Sequence, residues 1–169
     1  MAGNIPIRYV VTSHPANGLA SLASDANLLA GWQTAVVDNT VNLCDDYLWS
    51  ATIKLGTSPT AAKQIEAWVF EDTDFAGTYL GGFGATSAGL TLAFANQKPL
   101  LMRNVTTWIL DSGVATGSLF LFVNFSIKSL LGYVPGHHGL WFVHNTGAAL
   151  DSTAGNHVIT ATGIGWQYT

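Results

Sequence analysis

Residues 47–55 read Tyr-Leu-Trp-Ser-Ala-Thr-Ile-Lys-Leu and show the clearest alternation of apolar and polar residues in the chain. Successive side chains of a β-strand point to opposite faces, so this alternation predicts a strand with one face buried and the other largely in water. The opposite face carries mostly Ser, Thr and Lys. The predicted buried face carries Tyr47, Trp49, Ala51, Ile53 and Leu55.

Three other segments are apolar on both faces. Residues 64–70 place Ile, Ala and Val on one side and Glu, Trp68 and Phe70 on the other, while residues 118–125 and 140–144 are nearly continuous apolar runs. Such a strand lies inside a two-layer sandwich or beneath a partner subunit, because water would otherwise contact its large side chains. We therefore expect a neighbouring subunit to bury at least one sheet face.

Shorter apolar stretches separated by Gly, Ser, Thr and Asn extend this pattern along the whole chain, which is typical of sandwiches and barrels. With roughly eight to ten strands, no internal repeat and no linker, we predict a single all-β domain over residues 1–169. The expected architecture is an antiparallel two-sheet sandwich of the jelly-roll type. The weaker strand patterns lie at residues 5–12, 31–37, 100–105, 107–110 and 158–162.

Two segments depart from the strand pattern. Residues 24–29 could begin a short helix, with Asp25 near its positive end. Residues 72–91 are rich in Gly, Ala and Thr, which predicts one long Gly-rich loop or flexible hairpin. Its Gly-Gly-Phe-Gly stretch at 81–84 is expected to be the most flexible part.

Charged residues make up only 9% of the chain, against roughly 25% in an ordinary soluble domain. A monomer normally covers itself with charged side chains, so this chain must expose Ser, Thr, Asn and Gly or hide its surface against neighbours. We expect both, with self-association into a homo-oligomer, as a cyclic trimer or dimer.

The charge pattern also excludes some partners. The net charge is −4 and the six basic residues are scattered singly, whereas binding phosphates requires a clustered basic stripe, so we expect no nucleic-acid partner. Polar residues interrupt the longest apolar run, at 119–134, and the first ten residues lack the pattern of a secretion signal. We therefore expect no membrane partner and no export by that route.

The sequence offers little for a metal ion or cofactor. The five histidines show no His-x-His or His-Glu-x-x-His spacing. The acidic groups at residues 45–46 and 71–74 could hold Ca²⁺, but they lack EF-hand spacing, and solvated acids in turns are favoured. We predict no metal site and no cofactor.

The candidate nucleophiles and sugar-binding aromatic residues favour structural roles. Residues 85–89 read Ala-Thr-Ser-Ala-Gly and lack the first glycine of a nucleophile elbow. Cys44 precedes Asp45 and Asp46, which oppose a thiolate, so a buried or inert thiol is favoured. The six tryptophans are expected to pack in the core or at an interface, with a sugar-stacking platform as the alternative. We predict no catalytic residue and no enzymatic activity.

A series of short blocks occurs in order along the chain. These are residues 25–32 (Asp-Ala-Asn-Leu-Leu-Ala-Gly-Trp), 36–40 (Val-Val-Asp-Asn-Thr), 46–48 (Asp-Tyr-Leu), 56–60 (Gly-Thr-Ser-Pro-Thr), 65–69 (Ile-Glu-Ala-Trp-Val), 139–150 (Gly-Leu-Trp-Phe-Val-His-Asn-Thr-Gly-Ala-Ala-Leu) and 155–159 (Gly-Asn-His-Val-Ile). In these blocks the chain resembles small structural proteins of tailed bacteriophages. The resemblance implies a virion component, with capsid decoration as the expected role, and it supplies no catalytic residue.

The expected function is therefore a decoration (cement) subunit that binds the major capsid protein on the outside of the assembled head. Its expected location is the capsid surface of the virion, after synthesis in the host cytoplasm. The alternative is a tail or fibre module that binds host glycans. The predicted capsid or subunit contacts are an extended arm with one apolar face, together with two rings of the two-sided strands: Ile5, Ile7, Tyr9, Trp68 and Phe70.

Overall fold

The computed structural model describes residues 7–14 and 16–166, including the side chains of all but residues 7–9, 123 and 166. The strands are β1 (Ile7–His14), β2 (Ala30–Gln33), β3 (Val37–Asp38), β4 (Asp46–Lys54), β5 (Gln64–Glu71), β6 (Ala88–Thr91), β7 (Met102–Ile109), β8 (Leu119–Ser126), β9 (His137–His144) and β10 (Val158–Trp166). The helices are α1 (Asn39–Asn42), α2 (Gln97–Leu101) and α3 (Ile127–Leu131). No helix among these is long and apolar enough to cross a membrane.

The strands form two sheets. The first sheet has the order β1-β10-β4-β8, and the second has the order β6-β2-β9-β5-β7, with β3 also paired to β9. Every pairing within the described residues is antiparallel. This confirms the predicted all-β sandwich of two antiparallel sheets. The strand predicted over residues 31–37 is interrupted, since β2 and β3 pair with β9 one after the other.

The core between the sheets follows the alternation that the sequence predicted for β4. Tyr47, Trp49, Ala51 and Ile53 are at most 2% exposed, and the residues between them are half-buried on the opposite face. The buried face of β5 belongs to the same apolar cluster. Burial of these side chains supplies the main driving force for bringing the two sheets together.

The two strands predicted over residues 100–105 and 107–110 are one strand, β7. The register with β5 shifts between Ala67 and Trp68, whose partners are Thr106 and Asn104, so Val105 is an extra residue in a bulge. The extra residue of a bulge reverses which face the following side chains point to. The apolar alternation of a single strand therefore looks like that of two separate strands. Residues 100–101 belong to α2, whose proline occupies the first turn, where a missing N–H is tolerated.

The short helix predicted over residues 24–29 is absent, and a turn takes its place. Asp25 accepts hydrogen bonds from the main-chain N–H groups of Leu29 and Ala30, both at 2.7 Å, and of Asn27 at 3.1 Å. A side chain that binds nearby amides offers the backbone an alternative to helical bonds. These bonds also lower the pKa of Asp25.

The Gly-rich loop is only partly a loop. Residues 72–87 contain no strand or helix, but residues 88–91 form β6, which extends the second sheet beside β2. The Gly-Gly-Phe-Gly stretch is held in place, contrary to expectation. The Phe83 ring is 7% exposed and stacks on Phe70 with centroids 4.5 Å apart. Gln33 Nε2 donates to the carbonyl oxygens of Gly84 (2.8 Å) and Thr86 (2.6 Å).

The connections gather at two opposite ends of the sandwich, because consecutive long strands run in opposite directions. Residues 39–45, 72–87 and 127–136 follow β3, β5 and β8 at one end, which we call the acidic end. Residues 16–29, 55–63, 110–118 and 145–157 follow β1, β4, β7 and β9 at the other, which we call the hydroxyl end. β1 begins at the acidic end, where Ile7 pairs with Trp166 and Asp46 pairs with Ile164.

Candidate interaction surfaces

The outer face of the second sheet is covered by the chain itself. Residues 72–101 fold back over this face and form a second apolar cluster that includes Phe70, Phe83, Met102 and Trp141. Phe70 is 1% exposed and Trp141 is 0% exposed. The two-sided apolar strands β5 and β9 are thus buried on both faces within one chain.

A buried ion pair links residues 72–101, which we call the covering segment, to the second sheet. Lys98 Nζ on α2 lies 2.6 Å from Glu66 Oε2 on β5, and both side chains are 8% exposed. Glu66 also accepts hydrogen bonds from Trp68 Nε1 (2.8 Å) and Gln64 Nε2 (2.5 Å). Lys98 Nζ lies 5.7 Å from the ring centroids of Trp68 and Trp141. A buried ion pair needs such hydrogen bonds and ring contacts to offset the free-energy cost of removing both charges from water.

The outer face of the first sheet has a different character, because it carries mostly Ser and Thr and is open. In β4 and β10 this face presents half-buried Ser50, Thr52, Thr160 and Thr162. Its described charges are Lys54, which pairs with Asp151 at 3.6 Å, and Asp46 at the edge beside the acidic end. Large apolar side chains on the same face are 50 to 68% exposed: Val11, Leu119, Leu121 and Val158.

Acidic residues concentrate at the acidic end. Six of the ten Asp and Glu residues lie in its loops or at the strand ends beside them, and of the five basic residues with described side chains only Arg103 and Lys128 lie there. The six acidic residues are Asp38, Asp45, Asp46, Glu71, Asp72 and Asp74.

Large apolar side chains are exposed at the same end. Their exposed fractions run from 47 to 77%, and so many exposed apolar groups at one end are unusual on a soluble monomer. They belong to three different connections and to the adjoining helix α2. These residues are Val41, Leu43, Phe75, Leu80, Leu100 and Tyr133.

A cleft of about 260 Å³ opens among these side chains. Its walls include Leu80, Leu100 and Tyr133, together with the acidic residues Glu71 and Asp72, of which the Asp72 side chain is only 1% exposed. Tyr133 Oη donates a hydrogen bond to Glu71 Oε2 at 2.6 Å. Partial burial, with this bond to a carboxylate, raises the pKa of Tyr133 to about 12.

His137 contacts two of the carboxylates at the acidic end. Its Nδ1 lies 2.9 Å from Asp72 Oδ2, its main-chain N–H donates to Asp72 Oδ1 (3.1 Å), and its Nε2 lies 3.5 Å from Asp38 Oδ1. The Asp72 carboxylate also accepts from the Gly77 N–H at 3.3 Å. The start of the covering segment is thereby fixed to β9 and β3.

Two other histidines are buried between the sheets. His14 stacks on Trp49 with centroids 4.7 Å apart, and His138 packs edge-on against Tyr47 and Trp49 at 5.0 and 5.9 Å. Within the described residues, His14 Nε2 and both ring nitrogens of His138 have no hydrogen-bond partner. Burial lowers the pKa of His14 to about 4 and that of His138 to about 3, so both are neutral in the folded protein.

The hydroxyl end holds a second cleft of about 260 Å³, at the convergence of four connections. Ser21, Thr57, Thr116 and Ser152 contribute hydroxyl groups beside Asp151. Hydrogen bonds from the Asn156 side chain (2.8 Å) and the Thr153 main chain (2.9 Å) lower the pKa of Asp151 to about 2. No aromatic residue lines this cleft in the part of the chain that the structure describes.

The predicted contact residues fall into different environments. Ile5 lies outside the described residues, and Ile7 and Tyr9 pair through their backbones with Trp166 and Ile164. Trp68 is half-buried and Phe70 is almost fully buried, both beneath the covering segment. Residues 72–101 of the same chain bury the Phe70 ring, which corrects the expectation that a partner subunit buries it, while Trp68 stays a predicted contact.

The candidate residues for metal binding and catalysis are dispersed. In residues 7–14 and 16–166, no three side chains of His, Cys, Asp or Glu gather as metal ligands. Cys44 is a buried free thiol. The segment around Ser87 leads into β6 without a strand-to-helix turn. None of the five tryptophans with described side chains is exposed.

The acidic end is the surface that the sequence reasoning missed. Its signal was present, since the acidic groups at residues 45–46 and 71–74 stand near exposed apolar residues in predicted loops. In a two-sheet sandwich, alternate connections fall at the same end. Applied to the sequence, that rule places the two acidic groups at the same end of the sandwich.

Comparisons with known proteins add little. A scan against protein-family models matches no family, and a search of the curated proteins finds no match. Among solved structures, the chain aligns with the structure of infectious bursal virus derived T=1 particles. The identity is 11%, the alignment covers 94% of this chain and 39% of that chain, and the TM-score is 0.22. A similarity this low does not indicate a shared fold.

Proposed function

We propose that the domain is a jelly roll. Strands β2 and β3 count as one interrupted strand, and β6 is an addition to the edge. The eight remaining strands, renumbered along the chain, then give sheet orders 1-8-3-6 and 2-7-4-5. Eight strands in two sheets with two Greek keys define the jelly roll, which occurs in viral capsid and lectin domains. The strand order supports this assignment.

We infer that the protein is a capsid decoration subunit of a tailed bacteriophage, bound to the major capsid protein on the outside of the assembled head. The observation that carries this proposal is the gathering of exposed apolar side chains at one end of a small jelly roll. Surface of this kind supports a protein that works in contact with another protein. The ordered blocks that resemble phage structural proteins point to the same role.

Self-association is part of the same proposal. The open face of the first sheet carries Val11, Leu119, Leu121 and Val158 among Ser and Thr residues, with very little charge. An interface built on such a face requires little desolvation of charge. A cyclic trimer or dimer would bury this face while the acidic end faces the head.

We propose no catalytic activity, no cofactor, and neither nucleic acid nor membrane as a partner. An acidic, apolar contact surface supports this view, because nucleic acids and anionic lipids repel it. Three of the groups with strongly shifted pKa values are accounted for by structural contacts. His14 and His138 are shifted by burial in the core, and Asp151 by hydrogen bonds within its turn.

The cleft at the hydroxyl end favours a second candidate, a tail or fibre module that binds host glycans. Its Ser and Thr hydroxyl groups and the Asp151 carboxylate are suitable partners for sugar hydroxyls. Sugar rings are commonly bound by stacking on an aromatic ring, and the residues lining this cleft include none. We therefore rank this function second.

The test compares complete particles with particles that lack the protein. Heads without it are expected to release DNA at a lower temperature, and adding the purified protein should restore the higher temperature in a concentration-dependent way. A protein that binds only the assembled lattice stabilises that lattice by mass action. Identical release temperatures with and without the protein would count against decoration and in favour of the tail module.

A further inference from the structure

We propose that the acidic end is the docking surface for a protein partner with a basic, apolar surface, and that its cleft receives one Lys or Arg side chain of that partner. This inference rests on the proposed function for the identity of the partner, the major capsid protein. The chemistry of the surface does not depend on that identity.

Charge complementarity is the first argument. Among the side chains that the structure describes, the acidic end carries six carboxylates against Arg103 and Lys128. The Glu71 carboxylate lines the cleft, whereas the neighbouring Asp72 side chain is 1% exposed and bonded to His137. A surface with excess negative charge attracts a partner that carries Lys and Arg, and it accelerates their encounter.

The shape of the cleft is the second argument. Lys and Arg have an apolar stem and a charged head. The walls formed by Leu80, Leu100 and Tyr133 suit the stem, and the carboxylate of Glu71, which lines the same cleft, suits the charged head. A carboxylate accepts about four hydrogen bonds, so Glu71 retains acceptors after its bond from Tyr133.

The exposed apolar groups around the cleft complete the surface. Val41, Leu43 and Phe75 stand 61 to 77% exposed on two of the loops at this end. A protein interface commonly has an apolar centre that supplies most of the affinity and a polar rim that sets orientation. The acidic end offers both components on one contiguous set of loops.

The same charges disfavour the other occupants. A second copy docking end to end would bring Glu71 and Asp74 against identical groups, and like charges placed together oppose association. Nucleic acids and anionic membranes carry the same sign of charge as this surface. A protein of opposite charge is the partner that remains.

The experiment measures cosedimentation of purified variants with heads that lack the protein. The variant Leu80→Ser with Leu100→Ser removes apolar surface at the cleft and is expected to weaken binding by about tenfold or more. Glu71→Gln removes the charge but keeps an acceptor for Tyr133, and it is expected to weaken binding about three- to tenfold. Circular dichroism and melting temperature verify that each variant folds.

The matched control changes equally exposed residues elsewhere. Phe94 and Ile109 are 65 and 70% exposed and lie away from the acidic end, so Phe94→Ser with Ile109→Thr should change binding by less than about twofold. Equal weakening by the control pair, or unchanged binding by the cleft variants, would overturn the inference.

A second arm separates this inference from the proposed function. If the wild-type protein does not bind the heads, the proposed decoration function is refuted. The docking surface is then tested separately, with the peptides acetyl-Leu-Lys-Leu-amide and acetyl-Leu-Glu-Leu-amide. In NMR titrations the lysine peptide is expected to shift the amide signals of Glu71, Leu100 and Tyr133, and the glutamate peptide is not. Equal shifts with both peptides, or none with the lysine peptide, would refute the surface.

Discussion

The outer faces of the two sheets differ in what covers them. The outer face of the second sheet carries Trp68, Phe70 and Trp141 beneath residues 72–101 of the same chain. The outer face of the first sheet carries Ser and Thr with a few exposed apolar groups and has no cover within the described residues. Apolar patterning on both sides of a strand thus shows that a face is covered, but not which chain covers it.

The same difference indicates which surfaces stabilise the fold and which are available to bind partners. The second sheet is stabilised on both faces by its own chain, so changes there are expected to affect folding. The first sheet and the acidic end expose their apolar groups, so changes there are expected to affect contacts with partners. The predictions below test that division, beginning with the largest effect.

Removal of the Phe70 ring is expected to have the largest effect. Phe70→Ala deletes a fully buried side chain that stacks on Phe83 and contacts Tyr79 edge-on. We expect it to lower the free energy of unfolding by about 3–5 kcal/mol, because a buried cavity remains. Denaturant unfolding measures this change, with Val11→Ala on the open face as the control. A loss below about 1 kcal/mol would show that residues 72–101 do not pack firmly on this sheet.

Removing one partner of the buried ion pair should have the next largest effect. Lys98→Met leaves Glu66 buried without its cation and is expected to lower the free energy of unfolding by about 3 kcal/mol. The double variant Lys98→Met with Glu66→Leu should recover most of that loss, because no unpaired charge remains buried. Urea unfolding of both single variants and the double variant completes the cycle. Independent, additive losses would contradict the pairing.

Acid should weaken the contact between the two sheets. His14 on β1 and His138 on β9 have pKa values lowered by burial to about 4 and about 3, against about 6.5 when unfolded. The unfolded chain therefore binds protons that the folded protein excludes. The stability that depends on neutral histidines is fully present above about pH 6.5 and falls as the pH drops towards 4.5, by up to about 1.4 kcal/mol per pH unit for each histidine.

Melting curves between pH 7 and pH 4.5 measure this dependence. In His138→Phe, the slope over that range is expected to become shallower, since one of the histidines whose pKa burial lowers is gone, while His14 and His144 remain. His137→Gln is the neighbouring control. If the wild type and His138→Phe show the same slope, the two histidines do not govern the acid sensitivity.

Changes on the open face of the first sheet should have the smallest effect on folding. Val11→Thr with Leu121→Thr is expected to alter the free energy of unfolding by no more than about 0.5 kcal/mol. The same variant should reduce self-association, because it removes apolar surface from the proposed subunit interface. Analytical ultracentrifugation at micromolar concentration measures the shift. A wild-type protein that is a stable monomer under these conditions would argue against the homo-oligomer.

Much of the fold could be predicted from local patterns. The alternation in β4 fixed both the strand and its buried face, and β5 and β8 were placed within one or two residues. The errors arose where long-range geometry overrides a local signal. The bulge at Val105 made β7 look like two strands, and the Asp25 side chain replaced a predicted helical turn with its own hydrogen bonds.

The candidate surfaces were harder to predict. Nothing local shows that Phe83 returns to stack on Phe70 or that Lys98 reaches Glu66, since these pairs are separated by 13 and 32 residues and depend on the path of the long connection. The two-sided strands were therefore assigned to a partner subunit. Predicting the acidic end also required the strand topology, because its residues come from three separate connections.

The most direct test of the central claim is the number of copies of this protein in purified virions. Quantitative mass spectrometry gives this number relative to the major capsid protein, and difference imaging by electron cryomicroscopy gives the position. The account predicts a copy number of the same order as the major capsid protein, with density on the outside of the head. A handful of copies per particle, located at the tail, would contradict it and support the glycan-binding module.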